Sequence, residues 1–175
     1  EGARLDPSPL YRMPLFSALA LVAASAALGI ARGVREQFVE RSRTRQLAYV
    51  GKTQADLPTT QLRVAAADGE IEMATLLHRD ALQSLERSVQ GGDIPGASAR
   101  IHFRRNAALA VSQSKAAVAR LVEASGASAQ YDDSPLQRAL RDIQMLCTHV
   151  VFDLDGAYEL AGRDAFGLPP ASLMF

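Results

Sequence analysis

The fold is decided by residues 15–31, which read LFSALALVAASAALGIA. The helical pattern continues beyond them into charged sequence, as GVREQFVERSRTRQLAYV over residues 33–50, without a proline. An apolar run of about 17 residues is at the short end for a membrane-spanning helix. We interpret residues 15–31 as part of a buried central helix that begins at Pro14. A transmembrane span and a signal-like segment are the alternatives.

Composition excludes several classes of protein. The 175 residues carry 19 Lys+Arg and 19 Asp+Glu, and a net charge of zero argues against a nucleic-acid-binding surface. Cys147 is the single cysteine, so an internal disulfide framework and a Cys-based zinc site are excluded. The three histidines are scattered, and we expect no metal site. With 31 alanines and only 6% aromatic residues, the chain favours helices that pack closely side by side.

Apolar residues at helical spacing predict two further long helices. One covers residues 61–89 after a loop at 52–58, with Thr59 or Thr60 as its N-cap. Its regularly spaced positions are Leu62, Ala66, Gly69, Met73, Leu76, Leu77 and Leu85. The other covers residues 98–125 and is closed by Gly126 in a left-handed cap. Its apolar face contains Ile101, Ala108, Val111, Val118 and Leu121.

A shorter fourth helix is predicted to start at Pro135, behind the capping residues Asp133 and Ser134. We expect it to bend near His149 and to continue to about Ala161. The sequence contains no period-2 alternation long enough to indicate a strand. The predicted fold is therefore all-α, an up-and-down helical bundle of three long helices and one or two shorter ones. Residues 1–13 are predicted to form an extended lead-in, 14–164 the bundle and 165–175 a tail.

The fourth helix also carries the first candidate site. On a 3.6-residue repeat Arg138, Asp142, Met145 and His149 lie on one face. We select His149 as the catalytic residue because the charge of histidine changes near neutral pH, and the other three as the active-site wall. The alternative is a solvated face on which Arg138 pairs with Asp142. Cys147 lies on the opposite, apolar side and is expected to be an inert core thiol.

A second candidate cluster lies in the later part of the first helix. It consists of Arg32, Arg35, Arg41, Arg43 and Arg45. Arginine presents a bidentate fork to oxyanions, which suits contact with a phosphate. The alternative is a solvated helix surface paired with Glu36 and Glu40. We assign no catalytic role to His78 or His102.

Three segments resemble the C-terminal helical domain of the acyl-CoA dehydrogenase superfamily. They are LGIARG at 28–33, LPTTQ at 57–61 and SPLQRALRDI at 134–143, with His149 beyond. More narrowly, the chain resembles the flavin-dependent monooxygenase branch, which includes 4-hydroxyphenylacetate 3-hydroxylase oxygenase components. The dehydrogenase branch has a Glu-Gly-Thr pattern after the position of Asp142. This sequence lacks that pattern and has His149 instead, which favours the oxygenase branch.

The resemblance implies that residues 1–175 are a single C-terminal domain of a longer cytoplasmic flavoprotein, preceded by a helical domain and a β domain. It implies a reduced flavin cofactor, FMN or FAD, that reacts with O2 to hydroxylate a small aromatic or amine substrate. It also implies a homodimer or homotetramer and a flavin reductase component, with no nucleic-acid or membrane partner. His149 would stand near the reactive edge of the flavin. Arg41, Arg43 and Arg45 would bind the cofactor, although the Arg-x-x-Phe-Gly motif of the dehydrogenases is incomplete here.

Two other functions remain open. An acyl-CoA dehydrogenase C-terminal domain would need a catalytic carboxylate such as Glu159 or Asp153. A non-catalytic helical oligomerisation module would need no cofactor. In either flavoprotein case we expect the 175-residue chain alone to be inactive, because most nucleotide contacts would lie outside it.

Overall fold

A computed structural model of the chain describes residues 5, 8–47 and 51–175. This part contains five α-helices, which are α1 (Leu15–Thr44), α2 (Pro58–Gln90), α3 (Ala97–Ala124), α4 (Pro135–Cys147) and α5 (Leu154–Ala165). The predicted all-α fold, with three long helices and two shorter ones, is confirmed. The structure adds a short antiparallel ladder that the sequence did not predict, between β1 (Gln46–Leu47) and β2 (Lys52–Thr53).

The start of α2 differs from the prediction. The helix begins at Pro58, and proline is well suited to this first position because its missing N–H would have no partner there. Thr59 and Thr60 therefore lie inside the first turn and neither is the N-cap. Within the predicted loop, Gln54–Asp56 form a 3-10 turn that is closed by hydrogen bonds between Thr53 and Asp56.

The predicted lead-in over residues 1–13 is described only in part. Residues 1–4, 6 and 7 lie outside the described residues. Pro9–Arg12 form a 3-10 helix, so this portion is not extended as we expected.

The predicted continuation of the fourth helix to Ala161 is wrong. α4 ends at Cys147, and His149 has an extended backbone with φ −68° and ψ 132°. Val150–Phe152 then form a 3-10 turn. A new helix starts after Asp153, whose carboxylate accepts a hydrogen bond from the Gly156 N–H at 3.1 Å. This N-cap favours a fresh helix start over a continuous helix.

The contacts between residues divide the chain into two compact units. The first unit comprises the chain up to Ser25, Thr75–Ala110 and Thr148–Phe175. Its largest buried apolar side chains are Leu21, Leu85, Val89, Phe103 and Leu160. The second unit comprises Ala26–Ala74 and Val111–Cys147. Its largest buried apolar side chains are Val34, Phe38, Val111, Val118, Leu121, Val122 and Ile143.

Over most of its length helix α2 buries small residues and exposes several large ones, whereas Leu85 and Val89 are buried near its end. Ala67, Ala74 and Ala81 are fully buried, at a spacing of seven residues. Leu62 is 70% exposed and Leu76 is 55% exposed, although both belong to the regularly spaced set that indicated this helix. Alanine methyl groups let neighbouring helices approach closely, which larger side chains would prevent. In contrast, the apolar face predicted for α3 is confirmed, since all five of its residues are buried.

Helix α1 is buried along one stripe. The buried residues of its apolar part are Ser17, Ala20, Leu21, Ala24, Ala27, Leu28 and Ala31. Leu15, Leu19 and Val22 are 55–71% exposed, so the expectation of a buried helix holds for one side only. By length and composition α1 could cross a membrane, with a mean hydropathy of 1.8 in an 18-residue window that is 39% buried. Core helices and signal sequences share these properties, and the three interpretations of this segment stay open.

Candidate active site

His149 lies in the turn between α4 and α5, within the first compact unit. Its Nδ1 accepts a hydrogen bond from the backbone N–H of Val151 at 3.3 Å. The ring contacts Phe152, with 6.3 Å between ring centroids, and the Phe152 side chain is buried. His149 itself is exposed, and its Nε2 makes no hydrogen bond within the described residues. The turn therefore holds the imidazole by one nitrogen and presents the other outward.

The bond from Val151 decides where the neutral imidazole carries its proton. A ring nitrogen that accepts from an N–H has no proton of its own, so we assign the proton of neutral His149 to Nε2. In this form Nε2–H donates a hydrogen bond and cannot accept a proton. A general base acting through Nε2 would first have to lose the bond from Val151. The geometry therefore favours donation to a substrate oxygen over the proton abstraction that histidine chemistry alone suggested.

The exposed side of α4 carries the three residues predicted as the active-site wall. Arg138, Asp142 and Met145 are all exposed, Met145 by 71%, and their spacing of four and three residues places them together. No ion pair joins Arg138 to Asp142 in the described part of the chain. His149 does not share this face, because α4 ends two residues before it. Cys147 is half-buried, and burial raises the pKa of its thiol.

The arginines of the second candidate cluster have different partners. Arg35 makes a bidentate pair with Asp68 of α2, with N–O distances of 2.8 and 3.0 Å. Arg43 pairs with Glu40 at 3.3 Å, as the surface alternative proposed. Arg35 differs from that alternative, because its partner is a carboxylate of another helix.

Arg45 and Arg41 reach across to the segment that follows α3. Arg45 donates hydrogen bonds to the Ser125 carbonyl and to Gln54. Its guanidinium lies where a Cβ at Gly126 would approach to 3.3 Å. Gly126 has φ 75° and ψ −175°, so its φ is positive but it does not have the left-handed helical conformation of the predicted cap. Arg41 donates a hydrogen bond to Ser128 Oγ. Both side chains thus hold this connection in place.

Arg41 also lines a cleft that suits a phosphate group. The cleft has a volume of about 380 Å³ and contains Arg41, Ser134 and Glu40. Ser134 is 7% exposed, and its hydroxyl is buried without a hydrogen-bond partner. It therefore does not cap α4, although the predicted start at Pro135 is confirmed. The Arg41 guanidinium lines this cleft beside the Glu40 carboxylate and Pro135, the first residue of α4, which has no N–H. A guanidinium in such a cleft suits an oxyanion such as the phosphate of a flavin nucleotide.

The two carboxylates considered for a dehydrogenase have other environments. Asp153 accepts the hydrogen bond that starts α5, so its carboxylate is committed to the helix cap. Glu159 is exposed on α5. Neither position is favoured as a catalytic base by the structure.

Sequence reasoning missed Arg104. It is 5% exposed and donates hydrogen bonds to the backbone carbonyls of Val150 and Met174. A pattern in the sequence could have identified it: Arg104 lies three residues after Ile101 and four before Ala108, which places a charged residue on the apolar stripe of α3.

Comparison with known proteins gives the family. A family model described as acyl-CoA dehydrogenase, C-terminal domain matches residues 21–154. The chain is 31% identical over 175 residues to HsaA, a flavin-dependent monooxygenase oxygenase subunit of Mycobacterium tuberculosis, covering 99% of the chain and 44% of HsaA. It is also 31% identical over 147 residues to the oxygenase component of p-hydroxyphenylacetate 3-hydroxylase from Acinetobacter baumannii, covering 84% of the chain and 35% of that protein.

A solved structure agrees with these relatives. XiaF from Streptomyces sp., determined in complex with FADH2 and glycerol, matches with a TM-score of 0.89 and 28% identity, over 94% of the chain and 42% of XiaF. The chain thus spans less than half the length of each of these proteins. The matched residues 21–154 run from α1 through the His149 turn, and the chain belongs to the acyl-CoA dehydrogenase C-terminal domain family.

Proposed function

We propose that this chain is the C-terminal part of the oxygenase component of a flavin-dependent monooxygenase that hydroxylates a small aromatic substrate. Its similarity to oxygenase subunits supports the proposal. The observation that carries it is the His149 turn, in which an exposed imidazole is held through Nδ1 with Nε2 outward. The remainder of the relatives' length would supply the other walls of the active site.

In this proposal His149 binds the substrate through Nε2–H. A phenol offers an oxygen to this donor, and a phenolate accepts a stronger, charge-assisted bond. Holding the oxygen in this way favours the ionised, electron-rich ring that is hydroxylated. An amine offers no such oxygen acceptor, so the donor geometry favours phenols within the broader class of aromatic and amine substrates. Arg138, Asp142 and Met145 remain proposed as residues of the active-site wall.

When bound, the cofactor would be reduced FMN or FAD, which reacts with O2. Among the three arginines predicted to bind the cofactor, Arg41 has the environment that fits best, since it shares a cleft with the unpaired Ser134 hydroxyl. Arg45 would act indirectly, because its bonds to Ser125 and Gln54 shape the neighbouring connection. Arg43 is exposed and paired with Glu40, so of the three arginines its environment supports cofactor binding least.

The proposed partners are a flavin reductase component and further copies of the chain, in the cytoplasm. Leu15, Leu19 and Val22 leave an apolar stripe of α1 exposed, and such surfaces are typical of interfaces. We therefore expect a dimer or tetramer at tens of micromolar by light scattering. A strictly monomeric species would contradict this part of the proposal.

The function is tested by His149→Ala in the full-length parent protein. Removing a hydrogen-bond donor to a charged oxygen typically costs about 10²–10³-fold in rate, so hydroxylation should slow on that scale. More hydrogen peroxide should be released without product. His102→Ala is the matched control, since it removes a histidine that lies on α3, and it should hydroxylate at the parental rate. An unchanged rate and unchanged coupling for His149→Ala would refute the assignment.

The pH dependence separates donor from base. A histidine acting as a base loses activity as the pH falls through the range where imidazoles protonate, about pH 6–7. A donor keeps its Nε2–H in both protonation states. We therefore expect that the His149→Ala substitution removes no acid limb from the pH–rate profile. If His149→Ala removes an acid limb that the parent protein shows, His149 acts as a general base instead.

A further inference from the structure

The buried side chain of Arg104 holds the backbone beside His149. We propose that Arg104 is a positioning residue for His149, and that the last two residues of the chain, Met174 and Phe175, complete its setting. The inference rests on the proposed function of His149 for its catalytic consequence, although its structural part can be tested separately.

The contacts of Arg104 join three segments of the first compact unit. From α3, its NH2 group donates to the Val150 carbonyl at 3.3 Å, directly after His149. Its NH1 group donates to the Met174 carbonyl. One planar guanidinium thus fixes the turn that carries the candidate site and the final residues of the chain at the same time.

The electrostatic setting makes a purely stabilising role for Arg104 a poor explanation. It forms no ion pair within the described residues, and Asp153 acts on it only through space. Burial lowers the pKa of the guanidinium, and its Nε is buried without a hydrogen-bond partner. Taking a cation out of water without a carboxylate partner is costly. At position 104 an apolar side chain would cost less desolvation free energy than an arginine. The arginine is explained if the carbonyls of the turn require its N–H groups as hydrogen-bond donors.

Two features lie next to the Arg104 guanidinium, the end of the chain at Phe175 and the first turn of α5. Phe175 is buried against Ile101 and Leu160, and the Arg100 guanidinium lies 5.0 Å from the centre of its ring, within the range of a cation–π contact. This anchors the residue that follows the Met174 carbonyl.

The first turn of α5 is equally close. A Cβ at Gly156 would lie 2.6 Å from the Asp153 carboxylate and 3.4 Å from the Arg104 NH2 group. A side chain at this position would displace the capping Asp153 carboxylate and would lie in van der Waals contact with Arg104. The end of the chain and the start of α5 both pack against the residue that holds the turn.

The effect reaches His149 through the hydrogen bond at Nδ1. Arg104 fixes the carbonyl of Val150, and the same peptide unit supplies the Val151 N–H that donates to Nδ1. The Val150 carbonyl also accepts a hydrogen bond from the Asp153 N–H at 3.3 Å, so without the guanidinium this peptide is held by that one bond and rotates more easily. The imidazole then no longer has one nitrogen reserved as an acceptor, and the proton of the neutral ring distributes between Nδ1 and Nε2.

The experiment measures the ring nitrogens of His149 by ¹⁵N NMR in the 175-residue chain, above neutral pH. The unsubstituted chain should show the Nε2–H tautomer in large excess. Arg104→Met should give a mixture of both tautomers. Arg104→Lys should preserve part of the excess, because an ammonium can bond one carbonyl. Arg105→Met is the matched control on the next residue of α3: it removes bonds to His102 and Asn106 and should leave His149 unchanged.

In the full-length parent, Arg104→Met should lower kcat for hydroxylation by about 10-fold or more, within the roughly 10²-fold that misplacement of a reacting group can cost. The KM for reduced flavin should not change.

A His149 tautomer ratio that stays the same in folded Arg104→Met overturns the inference. Should that variant fail to fold, Phe175→Ala gives a milder loosening and must shift the ratio in the same direction; no shift there also overturns it. A full rate for His149→Ala in the parent would refute the proposed function, whereas the NMR result would still decide the role of Arg104.

Discussion

Arg104 of the first compact unit differs in its partners from Arg35 and Arg120 of the second. In the second unit Arg35 and Arg120 pair with Asp68 and Glu70 of α2, and these hydrogen bonds raise the pKa of both guanidiniums. In the first unit Arg104 bonds only backbone carbonyls, and burial lowers its pKa. Paired arginines join one regular helix to another. The carbonyl-bound arginine instead holds irregular segments together. No carboxylate in the described residues forms an ion pair with it, so no second substitution could remove an opposite charge together with the arginine.

The largest effect on stability should come from Arg104→Met. The substitution removes the Arg104 donor from the Met174 carbonyl and one of two donors from the Val150 carbonyl, which also accepts from the Asp153 N–H. An unsatisfied buried polar group costs roughly 1–3 kcal/mol, and the free energy of unfolding in urea should fall by about the upper part of that range. Hydrogen exchange should accelerate at Val150–Phe152. A midpoint equal to that of the unsubstituted chain would show that water replaces the guanidinium without loss.

Arg120→Met should have the next largest effect, and it should be reversible by a second substitution. The Glu70 side chain is only 12% exposed, so removing its partner leaves a largely buried carboxylate, at a cost of roughly 1–3 kcal/mol after allowance for partial exposure. The double variant Arg120→Met with Glu70→Met should return to within about 1 kcal/mol of the unsubstituted chain. A double variant as unstable as the single one would mean that packing of the arginine stem, not charge, is responsible.

Arg35→Met should change stability less. Both side chains of this pair are more than a third exposed, at 38% and 44%, and exposed pairs contribute about 0.2–1 kcal/mol. The effect should shrink further in 0.5 M salt, since screening weakens exposed pairs. If Arg35→Met lowered the free energy of unfolding in urea by more than about 2 kcal/mol, the pair would contribute as much as a buried ion pair, contrary to this prediction.

The smallest effect concerns Asp56 in the turn before α2. Hydrogen bonds from the Thr53 hydroxyl at 2.7 Å and the Thr53 N–H at 2.9 Å hold the pKa of Asp56 below its ordinary value of 3.8. A carboxyl whose pKa is lower in the folded state adds stability above the unfolded pKa. That stability is lost as the pH falls through the folded pKa, so it disappears below about pH 4. Thr53→Val should raise the pKa of Asp56 part of the way back, measured by NMR titration; an unmoved pKa would assign the shift to the backbone bond alone.

The buried face of a helix was predictable where its large apolar side chains are also the buried ones. On α3 the large apolar residues Val111, Val118 and Leu121 are the buried ones, so the periodic pattern identified both the helix and its inner face. On α2 the pattern identified the helix, but Ala67, Ala74 and Ala81 form its buried side. Alanine is apolar enough for a core and common enough on surfaces, so its position carries little information until the neighbouring helices are known.

The sequence selected His149 as the candidate residue but did not predict the geometry of its surroundings. His149 was found from sequence, but its place on a helix face was wrong because no glycine or proline marks the end of α4. The cap at Asp153 was the available indication, since Asp153-Leu-Asp-Gly156 is a plausible helix start. The hydrogen bond to Nδ1 is local, from Val151 two residues further on, whereas Arg104 and Val150 are 46 positions apart in the chain, a separation that local patterns do not encode.

The exposed and buried stripes of α1 also affect how the chain is made. The Leu21 carbonyl bonds His78, which is 57 residues further along. At about 5–20 residues per second, the ribosome needs roughly 3–11 s to reach that partner. During this interval a helix with a mean hydropathy of 1.8 has no partner from α2. We therefore expect nascent α1 to expose an apolar surface of the kind that ribosome-associated chaperones bind, with its leucines contributing more to this surface than its alanines.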